Sequence, residues 1–87
     1  MFDREPYEDS ISFTVLYMQE ADFRREDSSG KVIDKSSAGL GMLTGFPLEP
    51  GHILEWDDKH QEGKLHIAMV RWAIQMDDCF RVGLMFI

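Results

Sequence analysis

Alternation of apolar and polar side chains is the feature that most constrains the fold of this chain. In the segment ISFTVLYMQ, residues 11–19, the large apolar side chains of Ile11, Phe13 and Val15 occupy every second position. Successive side chains of a β-strand point to opposite faces, so this spacing places all three on a common face. Residues 11–19 are therefore predicted to form a strand with one buried face.

Five further segments have the composition of short strands and are separated by turn residues. Pro, Gly, Ser and Asp cluster between them, and a proline both fixes φ and removes a backbone donor, which disfavours a strand. Residues 20–30 are charged and end in Ser-Ser-Gly, so they are predicted to be the hairpin connection between the first two strands. The predicted strands are residues 11–19, 30–34, 40–44, 52–56, 64–75 and 79–87.

Residues 64–76 also permit a helical interpretation, because Leu65, Met69 and Trp72 fit a spacing of three and four. The β-branched and aromatic content of this segment, together with the hairpin signals on both sides, favours a strand. In that strand Val70 and Trp72 share one face. Both tryptophans of the chain are expected to be core or barrel-rim aromatics rather than platforms for stacking.

Six short strands joined by turns roughly every 8–12 residues are typical of a closed or nearly closed barrel. A chain of 87 residues has room for one domain only. The prediction is an all-β fold, a six-stranded antiparallel β-barrel at residues 11–87, preceded by an N-terminal arm at residues 1–10.

Charge and cysteine content narrow the possible partners and the compartment. The chain has 16 acidic and 9 basic residues, a net charge of −7, which repels nucleic acids and anionic membranes at long range. No apolar run approaches the roughly 20 residues of a membrane span, and the acidic start is unlike a signal peptide. The single cysteine, Cys79, cannot form an internal disulfide. We therefore expect a cytoplasmic protein that neither binds DNA or RNA nor inserts into membranes.

Small, polar and flexible residues interrupt the alternation at DKSSAG, residues 34–39. Asp, Ser and Gly are the usual residues of turns, so a plain turn is one interpretation. The other is a surface for a flat polar ligand. Asp34 and Ser36 are two residues apart and would point the same way on a strand, and Gly39 allows a ligand to approach the backbone. The residues alone leave both interpretations open.

This motif, Asp34-x-Ser36-x-x-Gly39, resembles the Asp-x-Ser-x-x-Gly motif of PilZ domains. Three later segments agree with that family in order. LEPGHILEW resembles the Pro-Gly approach to its middle strand, MVRW its Val-x-Trp strand, and FRVGLMF its closing strand with a central glycine. The resemblance extends over roughly residues 4 to 87.

PilZ domains are six-stranded β-barrels, and many are receptors for cyclic di-GMP, a bacterial second messenger. The resemblance implies a ligand site formed by Arg4 on the arm and by Asp34, Ser36 and Gly39 on the barrel wall. The chemistry suits that ligand. A guanidinium matches a phosphate or the O6/N7 edge of guanine, and a carboxylate accepts from the N–H groups of guanine.

The arm departs from the family pattern. PilZ receptors carry an Arg-x-x-x-Arg motif there, of which Arg4 matches the first residue, whereas Glu8 occupies the second position. Loss of one charged hydrogen bond costs about 1.5–3 kcal/mol, roughly a ten- to hundredfold loss of affinity. The sequence also has no counterpart of the helix that follows the last strand in many PilZ domains. One barrel end is therefore expected to be uncovered and open to a protein partner or to self-association.

Two functions follow from these observations. The first is a receptor that binds cyclic di-GMP through Arg4, Asp34, Ser36 and Gly39. Its affinity for this ligand is expected to be reduced because of Glu8. The alternative is a PilZ adaptor without ligand that acts through protein–protein contacts in motility, pilus or surface-behaviour control. No catalytic triad, phosphate-binding loop, cofactor motif or metal-ligand spacing is recognisable, so neither an enzyme nor a metal site is expected.

Overall fold

The computed structural model describes residues 9–87, and within that range the chain forms six β-strands and no helix. The all-β prediction is confirmed, because the strands close into an antiparallel barrel in the order β1-β2-β3-β6-β5-β4. No helix in this part of the chain is long and apolar enough to cross a membrane. The strands are β1 (Asp9–Gln19), β2 (Asp22–Lys35), β3 (Gly39–Thr44), β4 (Ile53–Asp57), β5 (Leu65–Gln75) and β6 (Phe80–Phe86).

Alternate residues of all six strands fill the barrel. On β1 the predicted face is confirmed, since Ile11, Phe13 and Val15 are buried. Residues 65–75 form a strand and not a helix. The predicted core position of Trp56 is also confirmed, at 8% exposure. The largest fully enclosed side chains are Met42, Leu54, Val15, Val70 and Val82.

The predicted connection at residues 20–30 is wrong. A two-residue turn at Glu20 and Ala21, both with positive φ, joins β1 to β2, and β2 pairs with the whole length of β1. β3 pairs only with Gly30–Lys35, so residues 22–29 of β2 extend beyond the barrel wall. This half of the strand buries neither face, and it therefore lacks the apolar alternation by which a strand is recognised.

Two β-bulges change which side chains face outward. The register shifts between Val32 and Asp34 in β2, and again between Val70 and Trp72 in β5. A bulge adds one residue to one strand and so turns the following side chains to the opposite face. Val32 and Val70 are buried in the core, whereas Trp72 is 42% exposed. The prediction that Trp72 shares the face of Val70 is therefore wrong.

Replacement of Ala21 by Gly is expected to raise the free energy of unfolding by about 0.5–1 kcal/mol, because glycine adopts positive φ without a steric penalty. Urea denaturation measures the change. The control is Ala73→Gly in β5, where φ is not positive. There the same substitution should lower stability by about 0.5–1 kcal/mol. A loss of stability in both variants would contradict the observed turn.

Candidate functional site

Four paired residues form a line across the outside of the barrel, at the level of the two bulges. Asp34 of β2 pairs with Gly41 of β3, Gly41 pairs with Gly83 of β6, and Gly83 pairs with Trp72 of β5. Neighbouring strands lie about 4.8 Å apart, so the line spans about 14 Å. We call these four residues the outer row.

The two glycines of the outer row make room for the side chains at its ends. A Cβ atom on Gly41 would lie 2.9 Å from both carboxylate oxygens of Asp34, and a Cβ atom on Gly83 would overlap the Trp72 indole. The carboxylate and the indole therefore lie close against glycine backbone. The two middle positions of the row contribute no side chain, which leaves a shallow surface with an anion at one end and an aromatic ring at the other.

The DKSSAG motif forms the turn between β2 and β3, and its polar side chains brace that turn. Asp34 Oδ1 accepts a hydrogen bond from the Gly41 N–H at 3.0 Å, and Ser36 Oγ accepts one from the Ala38 N–H at 3.2 Å. The Ser36 N–H donates to the Gly39 carbonyl oxygen at 2.9 Å. Residues 34–39 therefore form a turn that its own side chains stabilise. Within residues 9–87 no partner is recorded for Asp34 Oδ2, so this oxygen remains available to a ligand.

Three of the predicted site residues lie together. Asp34, Ser36 and Gly39 line one pocket of about 270 Å³ on the outer row. Gly39 allows β3 to lie close to the backbone of β6, since a Cβ atom there would overlap the Leu84 carbonyl oxygen. The fourth predicted residue, Arg4, lies outside the described residues, as does Glu8.

Sequence reasoning missed four residues that line the same pocket: Gly41, Arg71, Trp72 and Gly83. One sequence signal was the pair of glycines in LGM and VGL, each of which lies between two residues buried in the core. The other was the resemblance of MVRW and FRVGLMF to strands of PilZ domains. A glycine between two core-facing residues points outward, so the outer surface of the barrel carries no side chain at that position. The position of Arg71 and Trp72 at this pocket was not predicted, because the bulge that places them has no clear sequence signature.

A second pocket, of about 100 Å³, opens at the barrel end where β4 and β5 are joined. There Trp56 stacks on the imidazole of His66, with ring centroids 5.5 Å apart. His66 Nε2 donates to Asp58 Oδ1 at 3.0 Å, and this hydrogen bond is the main reason that the pKa of Asp58 is lowered. The volume of this pocket is less than half that of the pocket on the outer row. Within residues 9–87 no group of three His, Cys, Asp or Glu side chains is placed to hold a metal ion.

Comparison with known proteins gives no further assignment: no family model, no curated protein and no solved structure matches this chain.

Gly83→Ala is expected to displace the Trp72 indole, because the added methyl group would occupy the volume of the ring. The measurement is the indole N–H resonance of Trp72 in a ¹H–¹⁵N spectrum, with the Trp56 resonance as internal reference. Gly45→Ala is the control, since a Cβ atom at Gly45 meets nothing within 4 Å. A Trp72 resonance that moves equally little in both variants would contradict the described packing.

Acid should weaken the fold partly through Asp58. The pKa of this carboxyl is lowered from 3.8, so its stabilising contribution is complete above the unfolded value and is lost as pH falls through the folded pKa. Asp58→Asn should therefore show a smaller loss of stability than wild type between about pH 5 and pH 2, measured by urea unfolding. The neighbouring Asp57→Asn, at the exposed last residue of β4, should follow wild type. Parallel profiles for all three proteins would refute the role of the Asp58–His66 bond.

Proposed function

We propose that this chain is a PilZ-type receptor domain of bacterial second-messenger signalling that binds cyclic di-GMP on the outer row. The observation that carries the proposal is the outer row itself, in which a carboxylate and an indole flank two glycines. The Asp34-x-Ser36-x-x-Gly39 motif, through which the chain resembles PilZ domains, forms one side of that surface. The ligand class implies a cytoplasmic location.

The guanine base is the part of the ligand that the outer row suits best. Asp34 Oδ2 would accept hydrogen bonds from the N–H groups of guanine, since an ionised carboxylate only accepts. Trp72 offers an exposed ring for stacking, and base–aromatic stacking contributes about 1–3 kcal/mol. The hydrogen bond from Gly41 already holds the Asp34 carboxylate in place, so little side-chain freedom would be lost on binding.

The phosphates require a cation, and among residues 9–87 Arg71 is the cation that lines this pocket. It lies between Val70 and Trp72, at the register shift in β5. A bulge there interrupts the regular alternation of inward and outward side chains. Arg71 is exposed and has no recorded ion-pair partner among residues 9–87. Its guanidinium is therefore available for bidentate contact with a phosphate.

The first described residue of β1 lies close to the same surface. β1 begins at Asp9, which pairs with Val32, two residues before Asp34. Arg4 is five residues from Asp9, so the chain can extend up to roughly 17 Å from that point. In this proposal Arg4 adds a second cation, whereas the carboxylate of Glu8 repels the phosphates and lowers the affinity.

Asp34→Asn is expected to weaken cyclic di-GMP binding about tenfold or more, measured by isothermal titration calorimetry. The amide keeps an oxygen for the Gly41 N–H, so the turn is preserved, but it loses the charge that favours the donors of guanine. Asp22→Asn, at an exposed aspartate of the same strand, is the matched control and should bind like wild type. Equal affinity of the Asp34 and Asp22 variants would remove Asp34 from the site.

Arg71→Gln is expected to lower the affinity about tenfold or more, because a charged hydrogen bond to phosphate is lost. Arg81→Gln is its control, since Arg81 is exposed on β6 but does not line the pocket. Glu8→Arg restores the arm pattern and should tighten binding. If wild type fails to bind and only Glu8→Arg binds, the natural protein does not act as a receptor.

A protein-interaction adaptor is the second candidate function, and an apolar surface on the barrel wall favours it. Met85, Met69, Ile53 and Leu16 form a second line of paired residues on the outside, from β6 to β1. Beside it Ile67 is 39% exposed, together with other apolar side chains of β5. Exposed apolar surfaces of this kind mark interaction sites. Self-association in sedimentation experiments, combined with no binding of cyclic di-GMP, would favour this function.

A further inference from the structure

The barrel end opposite the Trp56–His66 stack contains a cavity of about 620 Å³ that the proposed receptor site does not use. Its volume lies within the roughly 300–1,000 Å³ of pockets that hold small molecules. Four rings line the cavity, and we call it the aromatic cavity. They belong to Tyr17 on β1, Phe46 and His52 in the connection between β3 and β4, and Phe80 at the start of β6.

The rings around Tyr17 meet at angles and do not form a flat stack. The planes of Tyr17 and Phe46 are inclined by 64°, with centroids 6.4 Å apart. Those of Tyr17 and His52 are inclined by 37°, with centroids 5.0 Å apart. Rings inclined in this way form a corner, and the faces of phenol and benzene rings carry partial negative charge that attracts cations. Aromatic side chains arranged around a pocket are a known form of site for ammonium groups.

The charged residues that line the cavity have one sign. They are Glu26 and Glu49, and neither Lys nor Arg is among the lining residues within the described part of the chain. Glu26 accepts the hydrogen bond of the Tyr17 hydroxyl, and this raises the pKa of Tyr17, so the hydroxyl stays protonated at neutral pH. Glu49 lies at the rim with its side chain 78% exposed and its Oε2 atom 3.8 Å from His52 Nε2.

Hydrogen bonding at His52 also favours a positively charged guest in the cavity. The Glu49 N–H donates to His52 Nδ1 at 3.2 Å, which requires an unprotonated Nδ1 and places the ring hydrogen on Nε2, facing Glu49. The rings and the carboxylates then both favour a positive guest, and the net charge of −7 favours its approach.

We propose that the aromatic cavity binds a small organic ammonium cation of the quaternary or methylated type. The cation contacts the faces of Tyr17 and Phe46, and Glu49 balances its charge from the rim. Leu48 and Pro47 supply an apolar wall for the carbon chain of the ligand. This site is distinct from the outer row, and the proposal does not depend on cyclic di-GMP binding.

The test compares choline with 3,3-dimethylbutan-1-ol, its uncharged analogue of nearly the same shape. Each is titrated into the ¹⁵N- and ¹³C-labelled protein, and the aromatic and backbone resonances of Tyr17, Phe46 and His52 are followed, with sodium chloride as the ionic-strength control. Choline is expected to bind about 2- to 30-fold more tightly than the alcohol, the contribution of cation–π attraction. Equal affinities, or no shift of these resonances with choline, would overturn the proposal.

Two pairs of variants assign the effect to the cavity. Phe46→Leu keeps the wall apolar but removes one of the two contacting rings, so it should reduce the preference for choline. Phe23→Leu, at a 63% exposed ring outside the cavity, should leave the preference unchanged. Glu49→Gln should weaken choline binding and leave the alcohol unaffected, whereas Glu62→Gln, in the exposed turn between β4 and β5, should change neither. The dispersion of the same spectra shows whether each variant is folded. Unchanged preference in a folded Phe46→Leu protein would also overturn the proposal.

Discussion

The two β-bulges on either side of the β3–β6 pair control what this barrel presents to its surroundings. In a regular strand Asp34 would share the face of Val32, and Trp72 would share that of Val70, so both side chains would point into the apolar core. An ionised carboxylate in that position would have to be desolvated without a partner, at a cost of several kcal/mol. One extra residue in each strand turns Asp34 and Trp72 to the outside and keeps both valines buried.

The glycines opposite the bulges are the second half of this arrangement. Gly41 and Gly83 pair with each other, and each provides the space over which the side chain of its other neighbour lies. The same contact holds the carboxylate in place, because the Gly41 N–H donates to Asp34 Oδ1. A polar group that is already oriented loses little conformational entropy when a ligand arrives. The turn interpretation and the ligand interpretation of DKSSAG are therefore compatible, since bracing the turn is what orders the carboxylate.

The two ends and the wall of the barrel differ in chemistry. The wall at the outer row offers a carboxylate, an indole and a guanidinium around bare backbone. The end near Tyr17 offers angled rings and two glutamates, which suit a positive group. The opposite end, where Trp56 stacks on His66, is nearly filled by its own side chains. These differences arise from a few outward or loop positions, while the same closed sheet supports all three.

The sequence by itself determined the class of fold, because the alternation in residues 11–19 and the turns between short apolar segments permit little other than a barrel of paired strands. It also predicted Asp34, Ser36 and Gly39 as candidate site residues, since small polar residues interrupt the alternation there. Tertiary structure alone decided that residues 22–29 extend the β1–β2 hairpin, because a strand with two exposed faces has no apolar pattern to reveal it. It alone decided that Trp72 lies outside the barrel. A bulge is a property of the register between two strands, and register arises only when both strands are paired.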